Sequence, residues 1–154
     1  ATAFPVGGKY PWSVGSVSIG GAAKTEVMDM TITIDEAIEP MYTLNGSVFP
    51  SRTKRTGFRT VAIEGTVKFD DQVEFQQFIS DAEQALIVTM VGATVSSGFT
   101  EDFTIRAPLL RYSEFKPSLA GPGQVEVGFT ARGIYSVTSA TALQLTLVNT
   151  LAGY

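Results

Sequence analysis

The sequence predicts a mainly β fold, an antiparallel β-sandwich or barrel with one flanking α-helix. Three observations predict it: apolar residues alternate along several short segments, turn residues separate those segments at even spacing, and one segment alone has helical periodicity. The plainest strand is Val27 to Ile34, with Met28, Met30, Ile32 and Ile34 on one face and Asp29, Thr31 and Thr33 on the other. A second runs from Thr60 to Phe69, where Val61, Ile63, Val67 and Phe69 oppose Glu64, Thr66 and Lys68. Gly65 lies on its apolar side, a place for a bulge or for close backbone approach.

The other elements follow in chain order. Residues 1–11, with Pro5, Gly7, Gly8 and Pro11, read as an extended N-terminal arm or linker, and residues 12–154 as one domain. From Trp12 to Gly21 a strand puts Trp12, Val14 and Ser16 on one side and Val17 and Ile19 on the other, and the change of phase after Ser16 predicts a bulge. A Gly20-Gly21 turn would pair this strand with the one from Val27. Asp70 and Asp71 precede a helix over Val73 to Gln84, in which Phe75, Phe78, Ile79 and Ala82 fall on one face. An aspartate there accepts hydrogen bonds from the free N–H groups of the first turn. Ala85 to Ala93 reads as an apolar strand buried on both faces, and Phe99 to Ala107 as an alternating strand after a turn at Ser96, Ser97 and Gly98. Leu109 to Phe115, Val125 to Tyr135 and Ala142 to Asn149 complete the set, with a loop over Pro117 to Gln124. Val125, Val127, Phe129 and Ala131 face inward.

Between the two plainest strands lies a loop over residues 36–57, far longer than a hairpin needs; such connections are functional or disordered. Lacking apolar periodicity, it is expected to be flexible in the single subunit and ordered on assembly. Its basic part gathers Arg52, Lys54, Arg55 and Arg59, facing an acidic segment of Asp35, Glu36 and Glu39. Complementary charge at a contact between subunits accounts for this pattern better than a nucleic-acid patch, because interleaved aromatics are few and the rest of the chain is acidic.

A chain of 154 residues buries roughly two-thirds of its unfolded surface and needs no staples. Only 17% of residues are charged, against about 25% in an ordinary soluble domain, which fits a protein that associates. A net charge of −4 excludes a nucleic-acid binder that grips phosphates. Cysteine and histidine are both absent, which removes disulfides, the usual zinc sites, cysteine nucleophiles and triads using histidine. No apolar run approaches the roughly 18 residues of a membrane helix and no signal peptide is present, so a soluble protein with no membrane partner is expected. The start at Ala1 rather than Met reads as processing or as part of a longer polypeptide.

Carboxylates remain as candidates for chemistry: Asp35, Glu36 and Glu39 at a strand end, Asp70 and Asp71 at a helix start, Glu101 and Asp102 within a strand. The calcium-loop spacing is missing, and turn or cap roles explain these residues better than a metal site. No glycosidase-like pair is marked out, since that depends on separation in space. The glycines Gly121 and Gly123 lack the strand-to-helix context of a phosphate loop. No catalytic, cofactor or metal residue is expected.

The stretch TITIDEAIEPMYTLNGSVFPSRTKRTGFRTVAIEGTVKFDDQVEFQQF resembles the tail tube proteins, or major tail proteins, of long-tailed bacteriophages. The likeness is carried by Tyr42, Thr43, Leu44 and Ser47, then by Gly65, Phe69, Asp70 and Asp71, and the strands from Thr104 to Tyr135 resemble the family's closing strands. Asn45-Gly46 departs from the pattern, which has a shorter connection there. The resemblance implies a structural virion protein, not an enzyme and without a cofactor. Its β-sandwiches would join into homo-oligomeric rings walled by a continuous β-barrel, and the rings would stack into a hollow tail tube. It further implies DNA passing through the lumen without specific binding, partners among the tape measure, terminator and distal tail proteins, and assembly in the host cytoplasm. Rival readings are a related tube or hub, such as a secretion-system inner tube or a distal tail protein, and a ligand-binding β-barrel or carbohydrate-active enzyme.

Overall fold

The computed structural model describes residues 12–44, 46, 48–68, 73–96, 99–118 and 125–148. A 3₁₀ turn (Trp12–Val14) leads into β1 (Gly15–Ile19), β2 (Ala22–Lys24), β3 (Val27–Asp35), β4 (Ile38–Met41), β5 (Arg52–Arg55) and β6 (Thr60–Lys68). The helix α1 (Val73–Ile79) follows, then β7 (Gln84–Ser96), β8 (Phe99–Ser118), β9 (Glu126–Ile134) and β10 (Gln144–Val148). The main sheet runs β2-β1-β7-β8-β9-β6-β3, with β10 also on β8, and every pairing in it is antiparallel.

Strand β8 divides this sheet into two layers. Its first half, Asp102 to Arg106, lies between β7 and β10, whereas Leu109 to Ser118 pairs with β9. One layer is therefore β2-β1-β7-β8-β10 and the other β8-β9-β6-β3. Pro108 stands where β9 joins: β7 passes from Leu86 opposite Ala107 to Gln84 opposite Leu110 through a register shift, and Leu109 pairs with Ile134, so the proline lacking an N–H falls at a bulge in the ladder. The inner faces meet in a core centred on Val61, Ile63, Leu86, Leu110 and Val127. Helix α1 closes one side, its Phe75 and Phe78 rings each 6.0 Å from the Phe115 ring.

Several sequence expectations change. The Gly20-Gly21 turn joins β1 to the short β2, while β3 sits at the opposite edge of the sheet. Both glycines have positive φ, 62° and 81°, as a two-residue hairpin of matching twist demands. The expected bulge after Ser16 is absent; β1 pairs with β7 in unbroken register, and the phase change reflects the 3₁₀ turn before Gly15. Gly65 proves to be a site of close approach: a Cβ there would lie 2.6 Å from the Asp29 carbonyl oxygen and 3.0 Å from the Phe129 ring. The bulge falls instead on β3, between Val27 and Asp29. Phe99–Ala107 and Leu109–Phe115 are parts of one 20-residue strand. The helix stops at Ile79, and Asp81 just beyond it adopts φ 51°. Strand β7 is buried at Leu86 and Val88 but exposed at Val91, so it is not covered on both faces. The expected N-terminal arm over residues 1–11, the capping aspartates Asp70 and Asp71 and the glycines Gly121 and Gly123 lie outside the described residues.

Candidate functional site: open sheet edges and a projecting ribbon

Residues 36–57 do not form an irregular loop. Strands β4 and β5 pair antiparallel as a separate two-stranded ribbon, Ile38 opposite Arg55, Glu39 opposite Lys54, Pro40 opposite Thr53 and Met41 opposite Arg52. The ribbon continues the β3–β6 hairpin, whose last pair is Asp35 with Thr60. Two residues on one strand oppose four on the other at this junction, and the unequal lengths bend the chain. Asp35 Oδ1 accepts a hydrogen bond from the Ala37 N–H at 2.8 Å, an Asx turn that leaves Ala37 at φ 46°. The Ala37 carbonyl then accepts from both the N–H (2.8 Å) and the hydroxyl (3.1 Å) of Thr56.

The charges expected at a subunit contact are partly used within the chain. Glu36 holds Arg55 through Oε2 at 3.2 Å and Arg59 through Oε1 at 2.8 Å, a carboxylate bracing both returning arginines at the base of the ribbon. Arg52 directs its Nε–H to Met41 Sδ at 3.3 Å. Lys54 and Glu39 face each other in register without an ion pair among the described residues. Apolar side chains stand beside these charges. Ile38, Tyr42, Leu44, Val48 and Phe49 are exposed on the ribbon and its tip, and Phe58 at its base. The signal was present in Tyr42 to Phe49: four large apolar residues in a connection have no core to enter. A two-stranded hairpin is marginal at best in water, so a ribbon this bare needs a partner surface.

The second layer offers another unfinished feature. Strand β3 pairs only with β6, and β8 from Arg111 to Ser118 pairs only with β9 among the described residues. Both ends of a four-stranded sheet thus present open backbone donors and acceptors. Its outer face is polar: Thr31, Glu64, Thr130 and Glu114 form one row across the strands, and Asp29, Thr66, Gly128 and Lys116 the next.

Glu101 and Asp102 are neighbours on one strand and point to opposite sides of the sheet. A cleft lined by Ile19, Lys24, Glu26, Lys68, Tyr112 and Phe115 has one carboxylate, Glu26, paired with Lys68 at 3.4 Å. Among the described residues no three acidic side chains are placed to hold a metal, and no helix is long and apolar enough to cross a membrane.

Among the described residues, open edges at both ends of one sheet and an uncovered ribbon give the molecule the surfaces of a structural subunit and not the enclosed site of an enzyme. Residues 1–152 match the phage tail tube protein family. The chain belongs to that family and is a structural component of a tube. No curated protein sequence matches it. Among solved structures it is similar to a chain from the tail of an empty gene transfer agent particle refined with C6 symmetry, at 12% identity and a TM-score of 0.58, covering 88% of this chain and 95% of that one. A chain of the sheath–tube complex of an extracellular contractile injection system aligns with a TM-score of 0.61 at 11% identity, over 93% and 95% of the two chains. A chain from the virion of a native gene transfer agent gives 0.56 at 10% identity, over 92% and 100%.

Proposed function

We propose that copies of this chain join edge to edge into rings, and that the rings stack into the hollow tube of a virion tail through which DNA passes. The observation that carries this reading is the four-stranded layer with an open edge at β3 and another at β8. Pairing unlike edges is a heterologous contact, which closes into a ring when the rotation permits. Closure also removes the aggregation hazard of bare edges. Six copies, the symmetry of the gene transfer agent tail, would supply four strands each. Strands about 4.8 Å apart and tilted by about 40° then enclose a barrel roughly 45–50 Å across between backbones, which leaves room for a duplex. The polar outer face of this layer lines the lumen; there Asp29, Glu64 and Glu114 stand among Lys116 and Arg132, and Glu114 pairs Lys116 at 2.6 Å, so the wall offers no uninterrupted basic track for phosphates and DNA passes without being held.

The subunit has no catalytic role in this reading, needs no cofactor, and is put together in the host cytoplasm. Tape measure, terminator and distal tail proteins meet the ends of the tube. The ribbon, with Arg52, Lys54 and Glu39 still available, is the part that crosses to another subunit. Negative-stain microscopy of the purified chain at high concentration, with light scattering alongside, tests the reading: rings or hollow tubes are expected, and a clean monomer at every concentration would overturn it. A second reading, the inner tube of an injection machine, is favoured by the likeness to the contractile injection system chain. Copurification of a sheath protein would select it.

A further inference from the structure

The inner side of the first layer outruns the second layer that covers it. Two rows of side chains cross this side: Val17, Val88, Ile105 and Leu145 in one, and Gly15, Met90, Phe103 and Leu147 in the next. Burial fails along each row toward β10. Val88 is 3% exposed, Ile105 and Met90 are half-buried against the core, and Leu145 and Leu147 are 55% and 52% exposed. Glu101, two residues before Phe103 on an alternating strand, lies on the same side of β8. No ion pair among the described residues involves Glu101. The result is an apolar strip with a carboxylate on the same side.

We propose that this strip is the seat of the ribbon of a second copy of the chain, a proposal that rests on the assembly reading above. The two surfaces are complementary in kind. The ribbon carries Leu44 and Val48 fully in solvent, with Arg52 and Lys54 behind them on β5. The strip presents Leu145, Leu147 and Phe103, with Glu101 next along the same side of β8. Apolar tip meets apolar strip and Lys54 meets Glu101, so one docking covers both exposed groups and pairs two charges. Reach is sufficient: the four paired residues of β4 extend about 13 Å, and residues 42–51 carry the chain beyond them. The ribbon pairs with no strand of its own sandwich, which leaves it free for another copy.

The absence of cysteine from the whole sequence permits a direct test. Val48→Cys is combined with Leu147→Cys, and Leu44→Cys with Leu147→Cys as a second pair, in chains assembled into tubes and then mildly oxidised. A ladder of covalent oligomers on a non-reducing denaturing gel is expected from at least one pair. Val48→Cys with Thr31→Cys, on the far face of the other layer, is expected to give none. Assembled tubes in which both test pairs stay monomeric would overturn the docking while leaving the tube reading intact; a wild-type chain that forms no tubes removes that reading first. A disulfide formed within single chains would assign the ribbon to its own subunit and overturn the proposal too. Lys54→Glu is expected to lower assembly at least tenfold and Glu101→Lys in the same chain to restore it; a rescue that fails overturns the charged half of the contact.

Discussion

Strands β3 and β6 and the ribbon of β4 and β5 are consecutive parts of one long hairpin, with the same antiparallel pairing, yet one is packed and the other bare. In β6, Val61 and Ile63 are buried because β9 extends the sheet on one side and the first layer covers its face. Every residue of β5 is exposed, and only Met41 of β4 is partly covered. Backbone pairing is common to both and cannot explain the difference. Area removed from water can, at about 25 cal/mol per Å² of apolar surface. The body of the hairpin is held by its own chain, and the ribbon is left exposed.

Substitutions can break or sharpen this contrast, measured as thermal unfolding of the dissociated subunit. Ile63→Ala, at a fully buried position, is expected to cost about 2–4 kcal/mol and lower Tm by roughly 5–15 °C. Gly65→Ala comes next, at about 1–3 kcal/mol, because the added methyl meets the Asp29 carbonyl, which as backbone yields only by shifting β3. Glu36→Gln should cost about 1 kcal/mol or less, as its arginine partners are half-exposed, but should slow assembly by loosening the ribbon's base. Replacing residues 42–51 by a short Gly-Ser turn should leave Tm within about 2 °C and abolish tubes in the microscope. A large fall in Tm from that last change would erase the contrast, since the ribbon would then be stabilising its own subunit.

Period-two alternation made the core strands legible, down to the inward residues Ile63, Val127, Phe129 and Ala131. It could not show which strands pair. Gly20-Gly21 was a correct turn assigned to the wrong partner, because the two residues that follow Lys24 carry the chain to the opposite edge of the sheet. The expected end of one strand at Ala107 and start of another at Leu109 fall within one strand, in which β9 joins just beyond Pro108. At the candidate site the charged residues were visible, but the charge pattern did not show that within the chain Glu36 braces Arg55 and Arg59. The open edges of β3 and β8 were illegible, since a missing partner is a property of the sheet order and not of any local pattern.

That order also sets a timetable for synthesis. Strand β1 pairs with β7, and β6 needs β9, so the layers close only when Ile134 has left the ribosome. The hairpin with its apolar ribbon is complete by Lys68, and at about 5–20 residues per second the interval lasts roughly 3–13 s. Throughout it the chain displays two features that invite wrong partners, an open strand and a bare apolar tip. On the assembly proposed above, the features that would let the subunit polymerise thus expose its nascent chain to premature association, and a shield over residues 38–58 during translation would raise the yield of assembly-competent subunits.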